Sequence, residues 1–320
     1  GLGSEMMFYK GALDKIGVEM QIIRGSNNDF KSAVEPFFLD KMSDSSRLQM
    51  QTYVDNIWKA MRDEIAEDRK LKAEDLNTWA DEMKVKRVKD AVALKMMDGN
   101  KYRDEILALL QKKVNVKSID DLNLVSFEKY ARSEFKVDQL LNKKNKPNIA
   151  VIIAEGEIAV EGNGVSSKKI CQLIKEAREN ENIKTIVLRV NSPGGSALAS
   201  DEMWREIQLT NKTKKVIVSM GDVAASGGYY IASPADRIFA EKNTITGSIG
   251  VFGMVPYTGK LMEDKLGVTF DEIKTNKHAI LSTNRKMTTE EYNAVQAEVD
   301  DIYLDFLQRV SEGRNMSIEQ

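Results

Sequence analysis

Two stretches near opposite ends of the chain repeat one another, and a duplication restricts the fold more than composition does. Asp14-Lys-Ile-Gly-Val18 matches Asp264-Lys-Leu-Gly-Val268 at an offset of 250. Lys41-Met42 then matches Lys286-Met287 at an offset of 245. The pairs Val54/Val299, Asp55/Asp300, Ile57/Ile302, Trp58/Tyr303, Met61/Phe306, Ile65/Val310 and Arg69/Arg314 keep that offset. Their apolar members recur at helical spacing, so each copy ends this stretch in an amphipathic helix. Thr288-Thr-Glu-Glu291, ahead of the second helix, has the spacing of a capping box.

The duplication is incomplete. About a hundred residues precede Val251 in the second copy and have no counterpart in the first. The first copy continues past Arg69 to about Val116, whereas the second stops at Gln320. The chain therefore reads as a fragment of a longer protein. Residues 1–117 are the C-terminal part of a first repeat, and 149–320 a second repeat truncated at its C-terminal end. Between them, 118–148 combines a helical connector, Ser118–Leu141, with the polar, proline-bearing linker Asn142–Asn148.

Bulk numbers exclude several classes. A net charge of −2 over 320 residues gives no electrostatic case for nucleic acid or an anionic membrane surface. The one cysteine, Cys171, rules out an internal disulfide. No run approaches the ~18 consecutive apolar residues of a membrane span, and the opening residues do not read as a signal peptide.

Beyond the linker the pattern alternates. Ile149–Ala154, Thr185–Val190, Val216–Met220 and Asp236–Ala240 read as strands, while Ser166–Arg178 and Ala197–Leu209 read as helices. Strand and helix in alternation imply an α/β fold with a largely parallel sheet covered by helices, which places ligands at the carboxyl ends of the strands. Two glycine-rich bends sit at such ends: Asn191-Ser-Pro-Gly-Gly-Ser196 and Gly221-Asp-Val-Ala-Ala-Ser-Gly-Gly-Tyr-Tyr230.

The second bend holds Ser226 between a strand and the helix expected over Gly227–Ser233. On local sequence Ser226 serves equally well as a helix N-cap or as a nucleophile. A nucleophile needs a base, and His278 is the chain's one histidine, in the polar setting Asn276-Lys-His-Ala279. Backbone N–H groups of Gly194 or Gly195, together with that of Gly227, would make an oxyanion site, although Pro-Gly-Gly alone is equally a simple turn. Ser248, in Thr246-Gly-Ser-Ile-Gly250, reads as a loop hydroxyl.

Asn191-Ser-Pro-Gly-Gly195, Ala224-Ala-Ser-Gly-Gly-Tyr229 and Thr246-Gly-Ser-Ile-Gly-Val-Phe-Gly253, in that order, resemble protease IV, the bacterial signal peptide peptidases of the SppA type. Phe30-Lys-Ser-Ala-Val-Glu-Pro-Phe37 resembles the long, tandem-repeat form. The resemblance runs from about Phe8 to Gln320. It implies ClpP/crotonase-like repeats, the first of them incomplete, and peptide-bond hydrolysis by a Ser–Lys dyad without metal or cofactor. Carried across, Ser226 is the nucleophile, Lys31 the general base and Ser248 a hydroxyl that orients the lysine. In single-repeat members the base lies in the segment matching Lys274–Ser282, where His278 is here followed by Ala279; Lys277 is a decoy two positions away. The resemblance also implies apolar peptide substrates such as cleaved signal peptides, a closed homo-oligomer, and a place at the outer face of the bacterial cytoplasmic membrane. Membrane attachment would come through a segment outside this fragment.

Ile249, Val251, Phe252 and Met254 would line an apolar substrate pocket, or equally the core. A free lysine titrates near ~10.4, so acting near neutral pH requires a depression of about three pH units, or ~4 kcal/mol. Lys31 is therefore expected to be buried without a close carboxylate, and an ion pair with Glu35 would argue against the role. Two other classes stay open: a crotonase-like acyl-coenzyme A enzyme, with Glu155 and Glu157 as nearest carboxylates, and a non-catalytic peptide-binding scaffold.

Overall fold

The computed structural model describes residues 1–26, 28–131, 148–276 and 278–320. Its strands are Glu19–Arg24 (β1), Ile149–Glu155 (β2), Ile158–Ala159 (β3), Val165–Ser166 (β4), Thr185–Ser192 (β5), Lys215–Ala225 (β6), Arg237–Phe239 (β7), Ile245–Gly247 (β8) and Phe252–Tyr257 (β9). The helices are Lys10–Ile16 (α1), Asp44–Arg69 (α2), Ala73–Asp81 (α3), Val88–Ala93 (α4), Arg103–Val114 (α5), Phe127–Ala131 (α6), Ser167–Glu179 (α7), Ala197–Asn211 (α8), Gly227–Ala232 (α9) and Thr289–Arg314 (α10). Two units form, one of Leu2–Ile57 with Pro147–Gln320 and one of Trp58–Lys146 with Gly1, the boundary falling inside α2.

In the first unit the central sheet has the order β2-β5-β6-β7, all parallel, with β8 also running parallel to the end of β6. Alternate residues of its strands, among them Ile152, Ile186, Leu188, Val190, Val216 and Val218, turn inward and are buried. They meet Ile170 and Ile174 of α7, Met203 and Ile207 of α8 and Ile231 of α9 in one core. Each such aliphatic side chain contributes about 1.5–3 kcal/mol by leaving water. The parallel α/β layering expected from the alternating pattern is what forms. The helices cover one face, while Ile149, Val151 and Ile153 of β2 point the other way and are exposed.

The strand before the serine is longer than its apolar run suggests. Gly221-Asp222 reads as a turn in sequence, yet β6 continues to Ala225. Asn191 accounts for this. The sheet register shifts between Val190 and Ser192, and the Asn191 Oδ1 accepts the Val223 N–H at 3.2 Å. Gly221 leaves room for that amide, since a Cβ there would lie 2.8 Å from the Asn191 side chain.

A separate two-stranded ribbon joins β1 to β9, antiparallel, with Glu19 opposite Tyr257 and Arg24 opposite Phe252. The repeated helices α2 and α10 are each 26 residues long. The Thr288 Oγ1 accepts the Glu291 N–H at 3.2 Å and Glu291 accepts the Thr288 N–H at 2.8 Å, so the capping box forms. In the second unit Leu76 and Ala91 are buried, and the Trp58 Nε1–H donates to Asn77 at 2.7 Å. Of the expected connector, only a turn at Ile119–Asp121 and α6 are helical among the described residues. Residues 132–147 and the decoy Lys277 lie outside them.

Candidate active site

Strands β6 and β8 leave the sheet together, with Ala225 opposite Gly247. Their next residues, Ser226 and Ser248, therefore stand side by side. Both have left-handed φ values, 53° and 51°, which non-glycine residues seldom adopt. The Ser226 N–H donates to the Gly247 carbonyl at 2.8 Å and the Ser226 carbonyl accepts the Tyr230 N–H at 2.9 Å, so the bend is pinned on both sides. A serine at such a point is the kind of strained position that surrounding structure must hold in place.

Lys31 reaches this corner from the turn after β1. The ribbon brings it in: the Gly25 N–H donates to the Val251 carbonyl at 3.2 Å, and Asn28 packs over Gly250, where no side chain would fit. Lys31 Nζ lies 3.1 Å from Ser226 Oγ, 3.0 Å from Ser248 Oγ and 2.8 Å from the Ser248 carbonyl oxygen. The side chain is buried, with 6% of its surface exposed. Burial lowers its pKa from 10.5 to about 8, and no charged neighbour contributes to the shift. Glu35, four residues on, is itself buried but turns away, accepting the Ser43 N–H at 3.0 Å and the Ser43 Oγ–H at 2.6 Å.

These three contacts match the valences of a neutral amine. Two N–H bonds can donate to the Ser248 carbonyl and hydroxyl oxygens, and the lone pair then faces the Ser226 O–H. An ammonium has a third proton and would leave Ser226 no acceptor at Nζ.

The Pro-Gly-Gly bend lies against the same corner. Gly194 N–H is already taken by Ser192 Oγ at 3.1 Å, and the Gly194 carbonyl accepts the Ile158 N–H at 2.8 Å. The Gly195 and Gly227 N–H groups have no acceptor among the described residues.

A cleft of about 530 Å³ opens beside Lys31 and Ser226. Lys31, Gly195, Ser226 and Gly227 form its polar end, and Tyr230, Val251, Phe252, Val299, Ile302 and Phe306 its apolar wall. The Tyr230 and Phe306 rings pack at 4.8 Å between centroids. The Tyr230 O–H donates to Asp201 at 2.7 Å, and burial, reinforced by that carboxylate, pushes its phenol well above the ordinary range.

Of the four apolar pocket candidates, Val251 and Phe252 line the cleft. Ile249 packs instead on the cluster of Trp204, Tyr230, Phe306 and Val310, and Met254 pairs with Ile22 in the ribbon, away from the cleft lining. Sequence reasoning missed Tyr230 and the α10 residues Val299, Ile302 and Phe306. The last three had been visible as the apolar stripe of the repeat, a pattern that marks a buried face without saying what it faces. His278 stands elsewhere, 3.6 Å from Glu290, in a hollow it shares with Leu281, Ala294 and Val295. Among the described residues no group of histidine, cysteine and carboxylate side chains is arranged to hold a metal.

Comparison with known proteins agrees with the sequence motifs. The model of peptidase family S49 matches residues 1–117 and 208–320. The chain is 35% identical, over its whole length, to Protease 4 of Haemophilus influenzae, covering 53% of that protein. It is 32% identical to the chloroplastic serine protease SPPA of Arabidopsis thaliana, again over its whole length and 48% of the relative. A putative signal peptide peptidase SppA of Enterococcus faecium is 32% identical over 58% of this chain and 57% of its own. The chain thus spans about half the length of the curated relatives it matches throughout. A ClpP1 mutant from Listeria monocytogenes overlays 53% of this chain and 75% of its own at a TM-score of 0.32 and 16% identity, too slight a likeness to argue from. With the family model covering most of the sequence and these relatives above 30% identity, the chain belongs to peptidase family S49.

Proposed function

We propose that this chain forms the catalytic part of a serine endopeptidase that hydrolyses extended apolar peptides, including remnants of cleaved signal peptides, with Ser226 and Lys31 as a dyad. One observation carries the reading: a buried lysine amine lies 3.1 Å from the hydroxyl of a serine at a strained strand end, with no carboxylate partner among the described residues. Neutral Lys31 takes the Ser226 proton as Oγ attacks the scissile carbonyl carbon. The oxyanion is held by the free N–H groups of Gly195 and Gly227, with Gly194 shaping the bend. Lys31 then protonates the departing amine, and the acyl group stays on Ser226 as an ester. Water, deprotonated by Lys31, hydrolyses that ester, and the proton returns to Ser226.

The apolar wall favours apolar side chains next to the scissile bond. The names of the relatives support a signal-peptide-like substrate. We read residues 1–117 as the part of a first repeat that supplies the base, 118–148 as connector, and 149–320 as the repeat that supplies the nucleophile. No helix among the described residues is long and apolar enough to cross a membrane, so attachment at the outer face of the cytoplasmic membrane would come through another segment. A homo-oligomer fits the repeat. The second copy's counterpart of β1 is Thr269–Lys274, which has no strand partner among the described residues, and its Ile273 is 96% exposed.

Activity should report the lysine. With a pKa of about 8, the free-enzyme kcat/KM is expected to fall tenfold per pH unit below about pH 8 and to level off above it. Activity that survives Lys31→Ala but disappears in His278→Ala would assign the base to histidine instead. Ser248→Ala removes one of the two acceptors that orient Nζ and leaves the carbonyl. The expected result is a loss of about 10- to 100-fold in kcat with KM little changed, read in peptide-cleavage kinetics.

A further inference from the structure

Two carboxylates line the cleft beside Ser226 and take no part in the chemistry above. Glu157 stands between β2 and β3, and Glu298 lies on α10, so they come from different elements. Neither side chain makes a hydrogen bond or ion pair among the described residues. They do not serve the lysine either, because burial is the one cause of the Lys31 shift. Among the described residues Lys31 is the sole cationic side chain in the lining, and in the proposed mechanism it works as a neutral amine.

The repeat shows that the charge on α10 is not a general property of the helix. Continuing along its exposed side, Asp301 and Asp305 follow Glu298 at helical spacing. At the offset of 245, the matching residues of α2 are Tyr53, Asn56 and Ala60. The acidic row belongs to the copy that carries the nucleophile, whereas the apolar positions Val299, Ile302 and Phe306 are retained in kind as Val54, Ile57 and Met61. Packing requirements explain the shared apolar positions and leave the carboxylates unexplained.

We infer that Glu157 and Glu298 make this cleft selective for peptides with a lysine or arginine close to the apolar residue at the scissile bond, and that acidic peptides are rejected. The inference rests on the peptidase reading and adds the charge of the substrate to it. Both carboxylates are solvent-exposed, so the selectivity is moderate and screened by salt.

The test uses three fluorogenic peptides with the same apolar core and lysine, glutamine or glutamate next to it, in two series with the variable residue on either side of the scissile bond. In at least one series kcat/KM should fall in the order lysine, glutamine, glutamate, with a lysine-to-glutamate ratio of about 5 to 20 at low salt. The ratio should shrink in 0.5 M NaCl and approach one in Glu157→Gln/Glu298→Gln. Labelled versions of the same peptides should bind Ser226→Ala protein in the same order, which measures recognition without cleavage. A ratio near one in both series, or one that survives the double substitution, overturns the inference while leaving the peptidase standing. Failure to cleave the glutamine peptide overturns the peptidase reading, and the binding order then decides the charge selectivity alone.

Discussion

Lys31→Met is expected to lower kcat/KM by a factor of about 10³ to 10⁴ and to make the protein more stable. In the proposed mechanism the loss follows from removing the base, with residual rate coming from the oxyanion donors and binding alone. The gain follows from the same burial that makes the lysine useful. Its pKa is lowered from 10.5 to about 8 in the folded chain. Below about pH 8 the lysine is protonated in both states and the folded state bears the full penalty, about 3 kcal/mol at ~1.36 kcal/mol per pH unit. Between about 8 and 10.5 the unfolded chain binds a proton that the folded chain lacks, so wild-type stability rises with pH through that window. Methionine is free of this penalty but forfeits the two hydrogen bonds to Ser248, each worth about 1 kcal/mol. The variant should therefore be more stable by about 1–2 kcal/mol at pH 7 in urea unfolding. That advantage should vanish near pH 9 and reverse above it, leaving the variant less stable by about 2 kcal/mol once the pH passes the unfolded-state value of 10.5. Ser226→Ala should lose activity to a similar extent yet keep the pH-dependent rise, because Lys31 stays buried. A methionine variant that is less stable than wild type, by an amount constant from pH 7 to 10, would mean that Lys31 is not held as a buried amine.

How much of this was legible in the sequence differs from residue to residue. The parallel sheet was readable because its strands are apolar runs separated by amphipathic helices, and one-dimensional periodicity carries that information. The repeat was readable too, and with it the apolar stripe on α10. The approach of Lys31 to Ser226, across 195 residues, depends on the β1–β9 ribbon. Neither strand of the ribbon stands out locally, since Glu19–Arg24 alternates poorly and Phe252–Tyr257 contains Gly253 and Pro256. Family motifs therefore pointed to the lysine where periodicity could not. The loss of Gly194 as a free donor was invisible for another reason. It turns on Ser192 Oγ bending back onto a neighbouring N–H, which only the local backbone course decides. Glu157 and Glu298 were unreadable as a pair because nothing in sequence brings residues 157 and 298 to one cleft.

Gly195→Ala should cost about 2–4 kcal/mol of stability and at least 100-fold in kcat. Gly195 has a φ of 150°, and a Cβ there would lie 2.1 Å from the Ile158 carbonyl oxygen and 2.8 Å from the Ile158 nitrogen. Both are backbone atoms held in a short parallel bridge, with the Ile158 N–H donating to Gly194 and the Ile158 carbonyl accepting the Ser196 N–H. They cannot swing aside as a side chain would. The bend must move away and lose one or both of these bonds, at about 1 kcal/mol each, in addition to the strain of an alanine at that φ. In the proposed mechanism, moving it also carries the Gly195 N–H away from the oxyanion, and one such donor is worth about 10²–10³ in rate. Gly162→Ala is the control. Gly162 has a similar φ of 140° but nothing within 4 Å of its would-be Cβ, so it should show the backbone strain alone and cleave normally. Two measurements separate the causes: urea midpoints for both variants, and kcat on one apolar peptide under conditions where each remains folded. If Gly195→Ala melts with Gly162→Ala and cleaves within threefold of wild type, the bend neither clamps Ile158 nor supplies the oxyanion donor. If it is destabilised yet cleaves normally once folded, the clamp is real and the donor lies elsewhere, with the Gly227 N–H acting alone.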